Sequence, residues 1–289
     1  MVEKDEKYIP IVRWVGSKKR ILNKILENVP EEFEDYYEPF VGGGIVFLYM
    51  PYENKVILND SNKDLMNLYE RIKNDSKKLI KKVDRYEKNY LAHKESDRKE
   101  AYLDIRDKFN KLKDTKDPKE LIERAALYIS INKTGFSGLF QINKDGILTT
   151  GYGRVKNPKF YKKDQIEKFS KKLKGVKLMN TDYRKALKKA KKGDFIYLDP
   201  PYVPDDLNEY NMKYTKDCWT ENDFLDLVDL VEELDERGCY VMLSNSDSKF
   251  IRKHFPKKNY NIVKIPIHRS LSPNMDYRGY QHELLIMNY

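Results

Sequence analysis

Tyr36-Tyr37-Glu38-Pro39-Phe40-Val41 runs straight into Gly42-Gly43-Gly44 and then into Ile45-Val46-Phe47-Leu48-Tyr49. An apolar, aromatic-rich run meets a glycine turn, and the apolar run after it opens a helix. A second short run, Val56-Ile57-Leu58, ends in Asn59-Asp60. Strand, helix and strand within about 25 residues predict a βαβ unit of a parallel sheet. Further strand windows lie at 176–182, 195–199, 240–244, 261–265 and 283–287. From roughly Asp64 to Ala126 the period changes: Leu65, Leu68, Tyr69 and Ile72, then Leu121, Ala125, Tyr128 and Ile129, recur at helical spacing among many charges. A Gly-, Asn- and Thr-rich stretch between Asn132 and Gly153 predicts a β-hairpin with exposed aromatics. The expected fold class is therefore α/β, a sheet interrupted by an inserted, mainly helical segment. No internal repeat or low-complexity linker is visible.

Composition narrows the class. At 40% hydrophobic the 289-residue chain can build an ordinary core. No stretch approaches the roughly 18 uncharged apolar residues of a membrane span, and Met1-Val2-Glu3-Lys4-Asp5-Glu6 does not read as a signal peptide. Two cysteines, Cys218 and Cys239, fit a reducing, cytoplasmic setting. The net charge of +10 favours an acidic partner such as nucleic acid, although 43 Lys against 13 Arg also suits heat adaptation or base composition. The lysine runs Lys162-Lys163, Lys171-Lys172 and Lys188-Lys189 read mostly as solvated helix faces. The four histidines show no ligand spacing, so no metal is expected.

Glu38, Asp60, Asp182 and Asp199 each stand at the end of a strand window. In an open parallel sheet, ligands bind beyond the carboxyl ends of the strands. Any one of these acids is equally well a helix N-cap; four in register suit a ligand with hydroxyls, an amine and an adenine ring. Gly42-Gly43-Gly44 lacks the dinucleotide glycine spacing, and no Walker lysine follows it. Asp60, sixteen residues after Gly44, is placed to bond ribose hydroxyls. The sharpest signal is Asp199-Pro200-Pro201-Tyr202 after Phe195-Ile196-Tyr197-Leu198. Two prolines stop the strand and remove two backbone donors, leaving carbonyls to accept. A carboxylate beside an accepting carbonyl matches the two hydrogens of an exocyclic amine, and Tyr202 offers a flat face for a base.

This ordered set resembles the DNA adenine methylase family, S-adenosyl-L-methionine-dependent enzymes that methylate adenine at N(6), in the subgroup where the glycine motif precedes target recognition and the DPPY motif follows it. Arg13-Trp14-Val15-Gly16-Ser17-Lys18-Lys19, Glu38 to Gly44, and Asp199-Pro200-Pro201-Tyr202 carry the resemblance. Ser244-Asn245-Ser246-Asp247 and the tail Arg269-Ser270-Leu271-Ser272 to Arg278-Gly279 and Glu283-Leu284-Leu285 extend it over almost the whole chain.

The resemblance implies a Rossmann-like methyltransferase sheet in residues 1–62 and 176–289, and a target-recognition insert in 63–175 carrying the hairpin. It implies that Trp14 and Lys18 contact the methionine part of the cofactor, on one face if Ser17 onward is helical. Without it, Trp14 reads as a core anchor and Lys18 as a solvated charge. Glu38, Pro39, Phe40, Gly42, Gly43 and Gly44 would pass beneath the cofactor, Asp60 would hold its ribose, and Asp182 with Tyr183 its adenine. Asp199 and the Pro200 carbonyl would orient the target amine, with Pro201 fixing the exit and Tyr202 stacked on a flipped base.

In the hairpin, Phe136 would be the wedge into the duplex, Lys133 and Ser137 its phosphate-touching neighbours, and Leu139 a base-edge contact. Gln141 stands where members of the family that read GATC carry Arg. Arg suits guanine and Gln adenine, so the outer base pair is expected to depend on this position. Arg154 would contact phosphate, and the loop 205–217, with Tyr210 and Tyr214, would close over the flipped base.

The implied partners are double-stranded DNA and a restriction endonuclease acting separately on the same site. Direct transfer is expected, because neither cysteine follows a proline as a cytosine-ring nucleophile would. Amine methylation of cytosine N(4), RNA or protein, and a DNA-binding relative without catalysis, stay open at this level.

Overall fold

The computed structural model describes residues 8–202, 219–269 and 279–289. The loop 205–217, Cys218 and residues 270–278 lie outside the described residues. Every strand window holds a strand: β1 (Tyr36–Glu38), β2 (Val56–Asn59), β3 (Lys177–Met179), β4 (Phe195–Leu198), β5 (Tyr240–Ser246), β6 (Asn261–Arg269) and β7 (Gly279–Met287). They form a mixed seven-stranded sheet in the order β3-β2-β1-β4-β5-β7-β6. β1 pairs in parallel with β2 and with β4, and β4 with β5. β7 departs from the parallel pattern, running antiparallel to both β5 and β6. Only nine residues separate Arg269 from Gly279, too few for the crossover of a dozen or more that a parallel return needs.

The chain divides into two compact units. One comprises Lys19–Val41, Met50–Ser61 and Thr181–Tyr289. Its centre is β4, where Phe195, Ile196, Tyr197 and Leu198 are all buried, as a strand covered on both faces requires. Phe224, Leu227, Val231 and Leu234 of the helix Glu221–Glu236 are buried at helical spacing. That helix starts on a capping box between Thr220 and Asp223.

The other unit comprises Met1–Lys18, Gly42–Tyr49 and Asn62–Asn180. Its helices are Lys63–Ala92, Arg98–Lys111, Pro118–Thr134 and Lys163–Lys172, with the short Ile45–Tyr49. Asn62 caps the first, its side chain accepting from the N–H groups of Asp64 and Leu65 at 3.0 Å. Asp117 caps the third, with Pro118 in the first turn. Leu65, Leu68, Tyr69 and Ile72 are buried, as are Tyr102, Ile105 and Phe109, and Ala125, Tyr128 and Ile129. Inside this apolar packing the Arg124 guanidinium grips Asp64 with two bonds, at 2.5 and 2.9 Å, and donates a third to the Phe109 carbonyl at 2.7 Å. Among the described residues no helix is long and apolar enough to cross a membrane.

Candidate active site

In the sheet-bearing unit, β2, β1 and β4 are parallel neighbours, so their carboxyl ends share one edge. Asp60 follows β2, Glu38 closes β1 and Asp199 follows β4. Asp60 and Asp199 are half-buried. Glu38 is buried and accepts the Tyr36 hydroxyl at 2.7 Å. Asn59 organises this edge: its carboxamide donates to the carbonyls of Pro39 and Thr181 at 3.0 Å and accepts the Thr181 N–H at 2.9 Å. The Val41 N–H reaches the Asn59 carbonyl at 2.9 Å. One buried side chain thus fixes the exits of β1 and β2 against the turn that carries Asp182.

Asp182 caps the helix Tyr183–Leu187, accepting the Arg184 N–H at 3.0 Å. Its two oxygens also accept from the Arg184 guanidinium, which holds the carboxyl below the usual aspartate range. Tyr183 is buried, and its hydroxyl has no hydrogen-bond partner among the described residues. Burial pushes that phenol up to about 12. Its ring lies 5.1 Å from Phe40 and 5.4 Å from Trp219, stacked on the latter, with Phe40 and Trp219 5.6 Å apart.

Beyond β4, Pro200 is buried, Pro201 exposed and Tyr202 half-buried. The Tyr202 hydroxyl donates to the carboxylate of Glu283, a buried residue of β7. Burial, then Asp199 and Glu283 as negative neighbours, raises the Tyr202 pKa far above that of a free phenol. Tyr202 is therefore a neutral donor, its ring anchored at the hydroxyl end.

In the helical unit, Trp14 and Lys18 do not share a helix face. A turn at Val15-Gly16 separates them, with Gly16 at φ +78°, and the helical backbone begins only at Lys18 as a short 3-10 turn. Lys18 is only 4% exposed, not a solvated charge, and its ammonium donates to the Gly16 carbonyl at 2.8 Å. Trp14 packs on the glycine turn so closely that a Cβ at Gly42 would stand 2.6 Å from the indole nitrogen, and one at Gly43 3.1 Å from Trp14 Cβ. Gly42 and Gly44 take φ of +47° and +72°. Tyr69 donates to the Gly42 carbonyl at 2.5 Å.

The expected hairpin folds back on itself through isolated antiparallel bridges, Gly135 to Tyr152 and Ile142 to Leu148, without continuous strands. Asn132, Lys133 and Thr134 belong instead to the end of the helix Pro118–Thr134. Phe136 is 59% exposed at the head of a 3-10 turn, and Ser137 beside it takes φ +54°. Leu139 is half-buried, Gln141 exposed, and Arg154 exposed at φ +53°. Burial first, and the Arg13 cation second, push the Lys133 ammonium down to about 8.

Residues 14–270 match the family described as D12 class N6 adenine-specific DNA methyltransferase. The chain belongs to this family. It is 38% identical over 290 residues to the type II methyltransferase M.MjaIII of Methanocaldococcus jannaschii, covering 97% of this chain and 99% of that one. It is 34% identical to a type II methyltransferase of Lactococcus lactis subsp. cremoris, covering 97% and 95%, and 31% identical to a DNA adenine methylase of Vibrio cholerae, covering 96% and 94%. D12 membership makes the protein an adenine-specific DNA methyltransferase.

Four residues of this D12 enzyme, Asn59, Asn132, Trp219 and Glu283, had no individual role legible in the sequence, although Asn132 opens the hairpin stretch. Asn59 stood next to Asp60 and Glu283 opened a quoted motif. Each works through a partner far along the chain, and neither carried a signal for that partner.

Proposed function

We propose that the enzyme transfers a methyl group from S-adenosyl-L-methionine to the N(6) amine of adenine in a short palindromic site of double-stranded DNA, GATC-like as the first reading. It works in the cytoplasm, alongside a restriction endonuclease acting separately on the same site, as the type II names of its relatives suggest. Residues 1–62 and 176–289 form the catalytic methyltransferase domain of Rossmann-like design, and 63–175 the target-recognition insert. The observation that carries the reading is Asp199-Pro200-Pro201-Tyr202 at the carboxyl end of β4, with the Tyr202 ring held by buried Glu283.

The residues present fit the cofactor. The glycine turn admits no Cβ against Trp14, and the Tyr183 hydroxyl, without a hydrogen-bond partner among the described residues, sits among aromatic rings suited to adenine. When bound, S-adenosyl-L-methionine supplies an electrophilic methyl on a sulfonium. Trp14 and Lys18 bind its methionine end, Glu38, Pro39, Phe40 and the glycines pass beneath it, Asp60 holds its ribose, and Asp182 with Tyr183 its adenine. Asp182 does so as a fixed cap already braced by Arg184.

The amine lone pair is delocalised into the adenine ring, which makes it a poor nucleophile. Asp199 and the Pro200 carbonyl accept its two hydrogens and make the nitrogen more tetrahedral, so the rate comes from positioning and electrostatics. Leaving the duplex costs the base a few kcal/mol, which stacking on Tyr202 partly offsets. Phe136 fills the gap in the duplex, Lys133, Ser137 and Arg154 hold phosphates, and Leu139 and Gln141 meet base edges. In a tritiated-methyl assay Asp199→Ala should abolish transfer while the melting curve stays unchanged; near-normal transfer by that variant rules the assignment out.

A further inference from the structure

We infer that Asn132 is a positioning residue that joins the Arg13-Trp14 segment to the turn carrying Phe136, so that cofactor and DNA bind cooperatively. The inference rests on the reading of those two segments given above. Asn132 lies in the last turn of the helix Pro118–Thr134 and is only 2% exposed. Its carboxamide oxygen accepts the Arg13 N–H at 2.7 Å, while its amide nitrogen donates to the Arg13 carbonyl and to the Gly138 carbonyl, both at 2.9 Å. Both donor hydrogens and the acceptor are thus engaged by backbone.

The segment around Arg13 is neither helix nor strand, so its part-buried backbone N–H and carbonyl have no ladder or helical turn to bond to and take the Asn132 carboxamide instead. Asn132 serves as a one-residue strand edge for Arg13 and gives its remaining hydrogen to the recognition turn. The junction is tight: a Cβ on Gly138, at φ +69°, would stand 3.0 Å from Arg13 Cδ and from the Asn132 carbonyl oxygen. On the other side of Arg13, Trp14 is locked over Gly42 and Gly43. A continuous line of contacts runs from the glycine turn through Trp14, Arg13 and Asn132 to Gly138, two residues from Phe136. A ligand that fixes Trp14 fixes the backbone that Asn132 holds, and the same fixation sets the Gly138 carbonyl and its turn. By linkage the effect is reciprocal.

The test uses a short duplex carrying the motif that methylation mapping of this enzyme returns, and S-adenosyl-L-homocysteine, which has no methyl to transfer. Duplex affinity is measured without and with saturating S-adenosyl-L-homocysteine for the wild type, Asn132→Ala and Asn132→Ser, with a melting curve for each. The serine, which keeps one polar contact, decides the matter where the alanine does not fold. In the wild type the cofactor product should tighten duplex binding at least about fivefold, the lower end of ordinary coupling. In the variants the ratio should fall to within about twofold of one, with each ligand still bound alone. A merely structural Asn132 would weaken both ligands and leave the ratio unchanged. An unchanged ratio in the variants, or a ratio of one in the wild type, overturns the inference. A wild type that binds neither ligand overturns the underlying reading, and the inference with it.

Discussion

Lys133 makes its prediction through a proton. Its ammonium, half-buried beside Arg13, titrates at about 8, well below an ordinary lysine. Below that pH the free protein presents a cation to a phosphate. Above it the side chain is neutral, and DNA must first draw a proton from solvent. DNA affinity should therefore fall as pH rises from about 7 to 9, and Lys133→Met should flatten that slope. Fluorescence anisotropy with a labelled duplex reads both, and an equally steep pH dependence in the variant removes Lys133 from the interface. The same lysine makes folding stability rise with pH between about 8 and 10.5, because the unfolded chain binds the extra proton there. At Gln141 the expectation concerns base choice: Gln141→Ala should narrow the rate ratio between the cognate site and its outer-base variants, leaving S-adenosyl-L-methionine affinity unchanged. A good bidentate contact is worth about 1–3 kcal/mol of discrimination, so an unchanged ratio in a competition assay excludes the role.

Among the elements, the helices Lys63–Ala92 and Pro118–Thr134 are tied by the buried Arg124–Asp64 pair, which also stacks Arg124 over Phe109 at 3.8 Å. Removing one partner of such a pair leaves a charge stranded. Arg124→Ala should cost about 3–5 kcal/mol in chemical denaturation, whereas replacing both residues by apolar ones of similar volume should cost far less. A loss below about 1 kcal/mol for the single variant contradicts this account of the helical core. The elements themselves were legible because period and punctuation are local: the apolar run of β4 ends at two prolines, and the helical spacing from Leu65 to Ile72 needs no distant partner. The direction of β7 was not legible from its own residues, since it depends on a short return from β6. The hairpin was legible only as a reversal, because glycines and turn residues interrupt any continuous ladder. Lys18 misled for a related reason: a lysine beside Gly16 reads as solvated until its burial against the Gly16 carbonyl is seen. Asn59, Asn132 and Glu283 work through residues 122, 119 and 81 positions away, a distance no spacing rule spans.

For the whole molecule, a net charge of +10, an exposed aromatic turn and the membership of residues 14–270 in an adenine-specific family converge on one activity. The central claim is that Asp199-Pro200-Pro201-Tyr202 performs this transfer at one short site. The direct measurement expresses the enzyme, and separately Asp199→Ala, in a host without adenine methylation and reads the genome by single-molecule sequencing. The account predicts N(6)-methyladenine at a single short motif for the wild type and none for the variant. Modification of cytosine, or an unmodified genome in cells holding folded enzyme that binds S-adenosyl-L-methionine, would contradict it.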